Sequence, residues 1–144
     1  MMTMVLPDRD AIFADSGYWI ALLTPDDELH EKATALQTSL ANRRIVTTQL
    51  VLNEVLNPRS GTTKQRRQAA VDFVERINRN PRISVEPQTP ELFDEAFNYL
   101  RERLDKEWSI TDCASFLIME RLGIWRALTG DHHFEQAGFV VMLR

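Results

Sequence analysis

The sequence has 144 residues, of which 44% are hydrophobic and 26% are charged, a composition typical of a single globular domain and not of a disordered chain. The net charge of −4, from 17 basic and 21 acidic residues, excludes a protein that holds nucleic acid by overall positive charge. The single cysteine, Cys113, excludes a disulfide framework and a zinc site built from several cysteines. No apolar stretch is long enough to cross a bilayer and no signal peptide is recognisable. We therefore expect one domain over residues 1–144, in the cytoplasm and without a membrane partner.

Short β-branched runs alternate with longer helical patterns along the chain. This alternation is typical of an α/β protein with a central, mostly parallel sheet, here of about five strands. In chain order, the predicted elements are a strand over 11–15, helices over 18–23 and 29–40, a strand over 45–48, helices over 50–56 and 64–80, a strand over 83–85, helices starting at Thr89 and at Ser109, and strands over 126–129 and 139–143.

Four acidic residues fall where such a sheet opens a ligand crevice, beyond the carboxyl ends of its strands. Asp15 ends the first strand, and Glu54 lies on the helix after the second. Asp112 lies in the first turn of its helix, and Asp131 follows the fourth strand. Each acid taken alone is also explained as a helix cap or a surface charge, and the S-x-x-D spacing from Ser109 makes Asp112 a candidate cap.

Carboxylates that converge in one crevice repel one another unless a cation neutralises them. Oxygen ligands without cysteine or histidine favour a hard ion, Mg²⁺ or Mn²⁺. Such an ion activates water and stabilises the charge that builds on a phosphoryl group. The pattern therefore predicts hydrolysis of a phosphodiester.

Four segments around these acids carry a resemblance to a known family. They are 12–22 (IFADSGYWIAL), 47–55 (TTQLVLNEV), 108–116 (WSITDCASF) and 127–134 (ALTGDHHF), the last followed by Gly138 and Phe139. In this order the chain resembles the PIN-domain family of metal-dependent ribonucleases, most of all its VapC-type (virulence-associated protein C) members. The resemblance covers nearly the whole chain, from Ile12 to Leu143.

The resemblance implies a PIN-like α/β/α sandwich and a site for Mg²⁺ or Mn²⁺. The residues that it places in the catalytic and metal-binding roles are Asp15, Glu54, Asp112 and Asp131. Asp15 and Asp112 match the most direct ligands of the family, and Ser16 and Ser109 match polar positions beside the site. The resemblance also implies an RNA substrate, a small antitoxin protein as partner in a type II toxin–antitoxin pair, and a homodimer.

The segment from Asn57 to Arg82 is basic, with seven basic and two acidic residues and a net charge of +5. The rest of the chain therefore sums to −9. This asymmetry would offer RNA a positive flank beside an acidic catalytic floor, although a solvated helix face explains the same residues. Arg59 and Lys64, just past Glu54 in the sequence, are the first choices for contact with phosphate.

Two further features predict no chemistry. Cys113 lies inside an apolar helix, where a cysteine is a small buried hydrophobe far more often than a nucleophile. The adjacent pair His132 and His133 suits no common zinc motif, because neighbouring side chains point in different directions, and it is interpreted as a surface feature or a helix start. Two functions stay open: a toxin endoribonuclease, and a catalytically silent binding module with the same fold that acts through protein or RNA partners.

Overall fold

The structure is a computed structural model, and it describes residues 10–58 and 61–144. Its five strands form one sheet, and they are β1 (Ile12–Ala14), β2 (Ile45–Thr48), β3 (Ile83–Glu86), β4 (Arg126–Leu128) and β5 (Val140–Val141). The order across the sheet is β3-β2-β1-β4-β5, and all four pairings are parallel. The predicted α/β class with a parallel sheet of about five strands is confirmed.

Helices connect the strands. They are α1 (Ser16–Leu23), α2 (His30–Ser39), α3 (Gln49–Leu56), α4 (Lys64–Arg79), α5 (Pro90–Arg101), α6 (Ile110–Leu122) and α7 (His132–Gln136). The hydroxyls of Thr48, Thr63 and Thr89 accept a backbone N–H at the first turns of α3, α4 and α5. These caps satisfy N–H groups that a helix start leaves without a partner.

The predicted boundaries agree with the structure to within a few residues. The short helix α7 is not among the predicted elements, and the last strand, predicted over 139–143, is regular only at Val140–Val141, although the N–H groups of Met142 and Leu143 still donate to Ala127 O and Thr129 O. Phe139 does not join the strand, because its N–H donates to Phe134 O at 3.0 Å and closes the turn after α7. The strand can start only once that turn is complete.

The core lies on both faces of β1, which is at the centre of the sheet. Ile12, Phe13 and Ala14 are completely buried. Phe116 of α6 and Phe134 of α7 meet edge to face, with ring centroids 5.0 Å apart. α6 is the most deeply buried helix, with eight of its thirteen residues buried, which is why its sequence shows little amphipathic pattern.

The strand order places a topological switch at β1. The chain moves from β1 to β2 on one side, and β4 lies on the other side. In open α/β sheets, ligands bind beyond the carboxyl ends of the strands that flank such a switch. None of the helices in the described part of the chain combines the length and hydrophobicity that crossing a bilayer requires.

Candidate functional site

Asp15 follows β1 directly and lies at the switch point. Its backbone N–H donates to Leu128 O at 3.2 Å, which ties the end of β1 to the end of β4. Although Asp15 occupies the N-cap position of α1, its side chain does not make the usual capping hydrogen bond to the first turn of the helix. The carboxylate instead accepts a hydrogen bond from Thr129 Oγ1 at 3.0 Å, and only 6% of the residue is exposed.

Burial raises the pKa of Asp15 from its ordinary 3.8 to about 7. The negative charges of Asp112 and Glu54 raise this pKa further, whereas hydrogen bonds from Ser16 N–H and Thr129 lower it. The hydrogen bonds that the Asp15 carboxylate accepts therefore do not offset the cost of burying its charged form.

Glu54 reaches the same crevice from α3. Its pKa is raised, mainly by burial and further by the charges of Asp112 and Asp131. The hydroxyls of Ser16 and Thr111 donate hydrogen bonds to its carboxylate and hold the pKa down. Since Ser16 and Thr111 lie in the first turns of α1 and α6, Glu54 is held between the starts of two helices.

Asp112 lies in the first turn of α6 and is 8% exposed. Together with Ser109 it forms a capping box: Asp112 N–H donates to Ser109 Oγ, and Ser109 N–H donates to Asp112 Oδ2, both at 3.0 Å. The same Oδ2 lies 3.0 Å from Nδ1 of His133, whose ring donates to it. The carboxylate is thus fixed in orientation by two partners.

Asp131 caps α7, the short helix after β4. Its Oδ1 accepts the N–H of His133 at 2.9 Å, and its own N–H donates to Thr129 Oγ1 at 3.1 Å. Asp112 and Asp131 therefore both take part in helix capping, which is the alternative role predicted from the sequence for acids at such positions. Both are nevertheless held within electrostatic reach of Glu54.

The structure brings the four acids to one edge of the sheet, although it does not gather their oxygens into one tight set. The charged groups that act on the pKa values of Asp15 and Glu54 are all carboxylates. A crevice lined mainly by carboxylate and hydroxyl oxygens, with uncompensated negative charge, fits a hard divalent cation. Metal-bound water or phosphoryl oxygen would then be activated at this edge.

Of the other predicted site residues, the two serines lie beside this crevice, whereas the two basic residues are not placed there by the described part of the chain. Ser16 donates to Glu54 and Ser109 to Asp112, so both orient acids of the crevice. Arg59 falls outside the residues that the structure describes. Lys64 is exposed at the start of α4, and Arg66 and Arg67 of the same helix line a cleft of about 330 Å³ between α1, α3 and α4.

Sequence reasoning missed three side chains of the site: Thr111, Thr129 and His133. Thr129 donates to Asp15 and accepts from the backbone of Asp131, so one hydroxyl links two of the acids. The only sequence signal for these residues is their closeness to an acid along the chain. Their partners, up to 114 residues away for Thr129 and Asp15, follow only from the strand order.

The lone cysteine behaves as predicted. Cys113 is completely buried and has no disulfide partner. Burial raises the pKa of its thiol to about 11, which leaves almost no thiolate at neutral pH. A nucleophilic cysteine is therefore excluded.

Comparison with known proteins identifies the class. The family model of the PIN domain matches residues 12–140, and the chain belongs to this family. Within it, the chain is similar to the 23S rRNA-specific endonuclease VapC20 of two Mycobacterium tuberculosis strains, CDC 1551 and H37Rv. Each is 33% identical over 132 residues, which is 90% of this chain and 95% of the relative. The predicted resemblance to VapC-type PIN proteins is confirmed.

Solved structures agree with this assignment. The crystal structure of M. tuberculosis VapC20, described as a toxin that cleaves the sarcin-ricin loop, superposes with a TM-score of 0.77 and 32% identity over 90% of this chain and 96% of that one. The structure of FitAcB from Neisseria gonorrhoeae matches with a TM-score of 0.58 and 17% identity over 91% and 96% of the two chains, a likeness of fold alone.

Proposed function

We propose that this protein is a metal-dependent endoribonuclease and the toxin of a type II toxin–antitoxin pair. The observation that carries the proposal is Asp15, a buried carboxylate at the switch point of the sheet whose charged neighbours are all acids. A fold gains nothing from such a group unless a cation compensates it. The similarity to the VapC20 endonuclease supports the same function.

The four acids divide the work in this proposal. Asp15 and Asp112 are the most direct ligands of Mg²⁺ or Mn²⁺, and Glu54 and Asp131 complete the negative crevice. When bound, the cation supplies an activated water and stabilises charge on the phosphoryl group under attack. Asp15 would have to lose its proton to hold the cation, because a ligand carboxylate must be charged.

Positioning is the task of the hydroxyl groups and the capping box. Ser16 and Thr111 direct the carboxylate of Glu54, and Thr129 directs that of Asp15. Ser109 fixes Asp112 through the two bonds of the capping box. Ligands held in this way need little reorganisation when a cation and a phosphodiester arrive.

RNA is the proposed substrate, and 23S rRNA is the first RNA to test, because VapC20 is named for it. The basic segment 57–82 supplies the proposed phosphate contacts, with Arg59 and Lys64 as first choices. Its net charge of +5 contrasts with −9 for the remainder of the chain. Such a flank holds the RNA backbone while the acids act on one bond.

The proposed protein partners are a small antitoxin and a second copy of the chain, and the proposed compartment is the cytoplasm. The similarity to a toxin supports the antitoxin. The homodimer is supported by Phe93 and Phe97, which stack on the outer face of α5 with about half of each residue exposed. Exposed aromatic pairs of this kind are typical of protein contacts.

The deciding experiment is RNA cleavage by the purified protein with Mg²⁺, with Mn²⁺ or with excess chelator. We expect cleavage only with metal, and a loss of at least roughly 100-fold in Asp15→Asn and Asp112→Asn. Asp94→Asn, which removes one exposed carboxylate from α5, is the control and should cleave normally. Equal cleavage in chelator by a preparation free of other nucleases contradicts the mechanism. RNA or protein binding without any cleavage favours the silent binding module.

A further inference from the structure

The two neighbouring histidines do not diverge as their adjacent spacing suggested. The ring centroids of His132 and His133 are 4.5 Å apart. Both rings turn Nδ1 toward the same atom, Asp131 Oδ1, at 3.6 Å from His132 and 3.4 Å from His133. The helix start allows this, because α7 begins at His132 and Asp131 caps it.

These separations match those between ligands on one metal ion. Bonds of about 2.1 Å in a tetrahedral site place two ligand atoms about 3.4 Å apart. Two of the three separations are within 0.2 Å of that value, and the ligand atoms of all three residues lie within 4.8 Å of one another. A small rotation of one imidazole completes the triangle, and the exposed side of His132 leaves the fourth position to water.

The donor set differs from that of the carboxylate crevice. Two imidazoles and one carboxylate favour borderline transition metals, above all Zn²⁺, whereas Mg²⁺ prefers oxygen alone. Among the described residues this trio is the one set of three such groups whose ligand atoms come so close together.

We propose that Asp131, His132 and His133 form a second metal site, selective for Zn²⁺ and related transition metals, that competes with the carboxylate crevice. Competition follows from two shared groups. Asp131 belongs to both sites, and His133 Nδ1 cannot bind Zn²⁺ and still donate to Asp112 Oδ2, 3.0 Å away. Zn²⁺ therefore frees Asp112 while it removes Asp131 from the crevice. This inhibitory effect rests on the proposed nuclease function, whereas the binding site does not.

Binding is tested first, without reference to activity. Metal-free protein is titrated with Co²⁺, whose visible d–d absorption is strong in tetrahedral sites, and with Zn²⁺ by calorimetry. His132→Ala removes one ligand, and His30→Gln is the control because it removes the remaining histidine of the chain. We expect a tetrahedral Co²⁺ band and one Zn²⁺ in the wild type and the control. His132→Ala should lose the band and bind Zn²⁺ at least roughly tenfold more weakly.

Cleavage is tested second, with Mg²⁺ in excess and Zn²⁺ added at increasing concentration. Zn²⁺ should inhibit the wild type and His30→Gln, and His132→Ala should keep its Mg²⁺-supported rate at Zn²⁺ concentrations that stop the wild type. Absence of a tetrahedral band, or equal Zn²⁺ affinity in His132→Ala, overturns the site. A site that binds Zn²⁺ in a protein that cleaves no RNA leaves the proposal standing and refutes the nuclease function instead.

Discussion

Replacing Asp15 by asparagine should make the metal-free protein more stable at neutral and alkaline pH. The carboxylate is 6% exposed, and its pKa is raised from 3.8 to about 7 on folding. At about 1.4 kcal/mol per pKa unit, ionising the folded protein at this residue costs about 4 kcal/mol above pH 7. Asparagine avoids this cost and keeps an oxygen that can accept from Thr129.

The gain is reduced because the asparagine amide brings N–H groups into a buried place, at a cost of about 1–3 kcal/mol if they lack partners. The net stabilisation at pH 8 is therefore about 1–3 kcal/mol. For a chain of this length that corresponds to an increase of roughly 3–10 °C in Tm.

The sign of the pH dependence identifies the cause. A carboxyl with a raised folded pKa contributes full stability below its unfolded pKa and loses it as pH rises to the folded value. The free energy of unfolding of the wild type relative to Asp15→Asn should fall by about 1.4 kcal/mol per pH unit between about pH 4 and 7, and should be flat above pH 7. Below about pH 4 the wild type should be equal or more stable.

Urea denaturation in chelator at several pH values measures this difference directly, with Asp94→Asn as the exposed control. Mn²⁺ in excess should reduce or reverse the advantage of Asp15→Asn, since only the wild type has the full set of ligands. A difference between Asp15→Asn and wild type that does not change with pH would refute the reasoning, because burial of a charge would then not be its origin.

Two further predictions concern binding. Arg59→Ala combined with Lys64→Ala should flatten the dependence of log RNA affinity on log salt by roughly 1.4, at about 0.7 for each phosphate that is no longer neutralised. Fluorescence anisotropy measures this slope. The control is Arg101→Ala with Lys106→Ala, which makes the same charge change outside the basic segment and should leave the slope unaltered. Equal slopes in both double variants would assign Arg59 and Lys64 to an ordinary solvated surface. The proposed homodimer predicts twice the monomer mass by light scattering at micromolar concentration, and Phe93→Asp should yield monomers. A wild-type monomer would contradict the proposed homodimer. A dimer that Phe93→Asp leaves intact would show that α5 is not its interface.

The sequence was sufficient for the fold class and for most of the helices and strands, because the signals for these are local. Threonine caps at the starts of α3, α4 and α5 and β-branched runs such as Ile45–Thr48 define where elements begin and end. The acids could be placed at strand ends for the same reason.

The environment of those acids could not be predicted, because it depends on contacts distant in sequence. The bond from Thr129 to Asp15 exists only once β4 lies beside β1, and the approach of His133 to Asp112 exists only once α7 lies beside α6. The adjacent histidines start a helix, as predicted, but the approach of their two rings could not be predicted, because their spacing alone does not include the cap at Asp131. That cap sets the turn that brings both rings to one oxygen.

Because Asp112 and Asp131 act in helix capping, their presence alone does not indicate an active site. Asp131 caps α7 and Asp112 completes the capping box of α6, both through bonds to backbone N–H groups, and losing a helix cap costs about 0.5–2 kcal/mol. A descendant that had lost all catalysis would still gain stability from these two carboxylates. Asp15 begins a helix without capping it and weakens the fold when charged. In proteins of this architecture, position 15 is therefore the better indicator of a working site, since only activity gives a reason to retain an acid there.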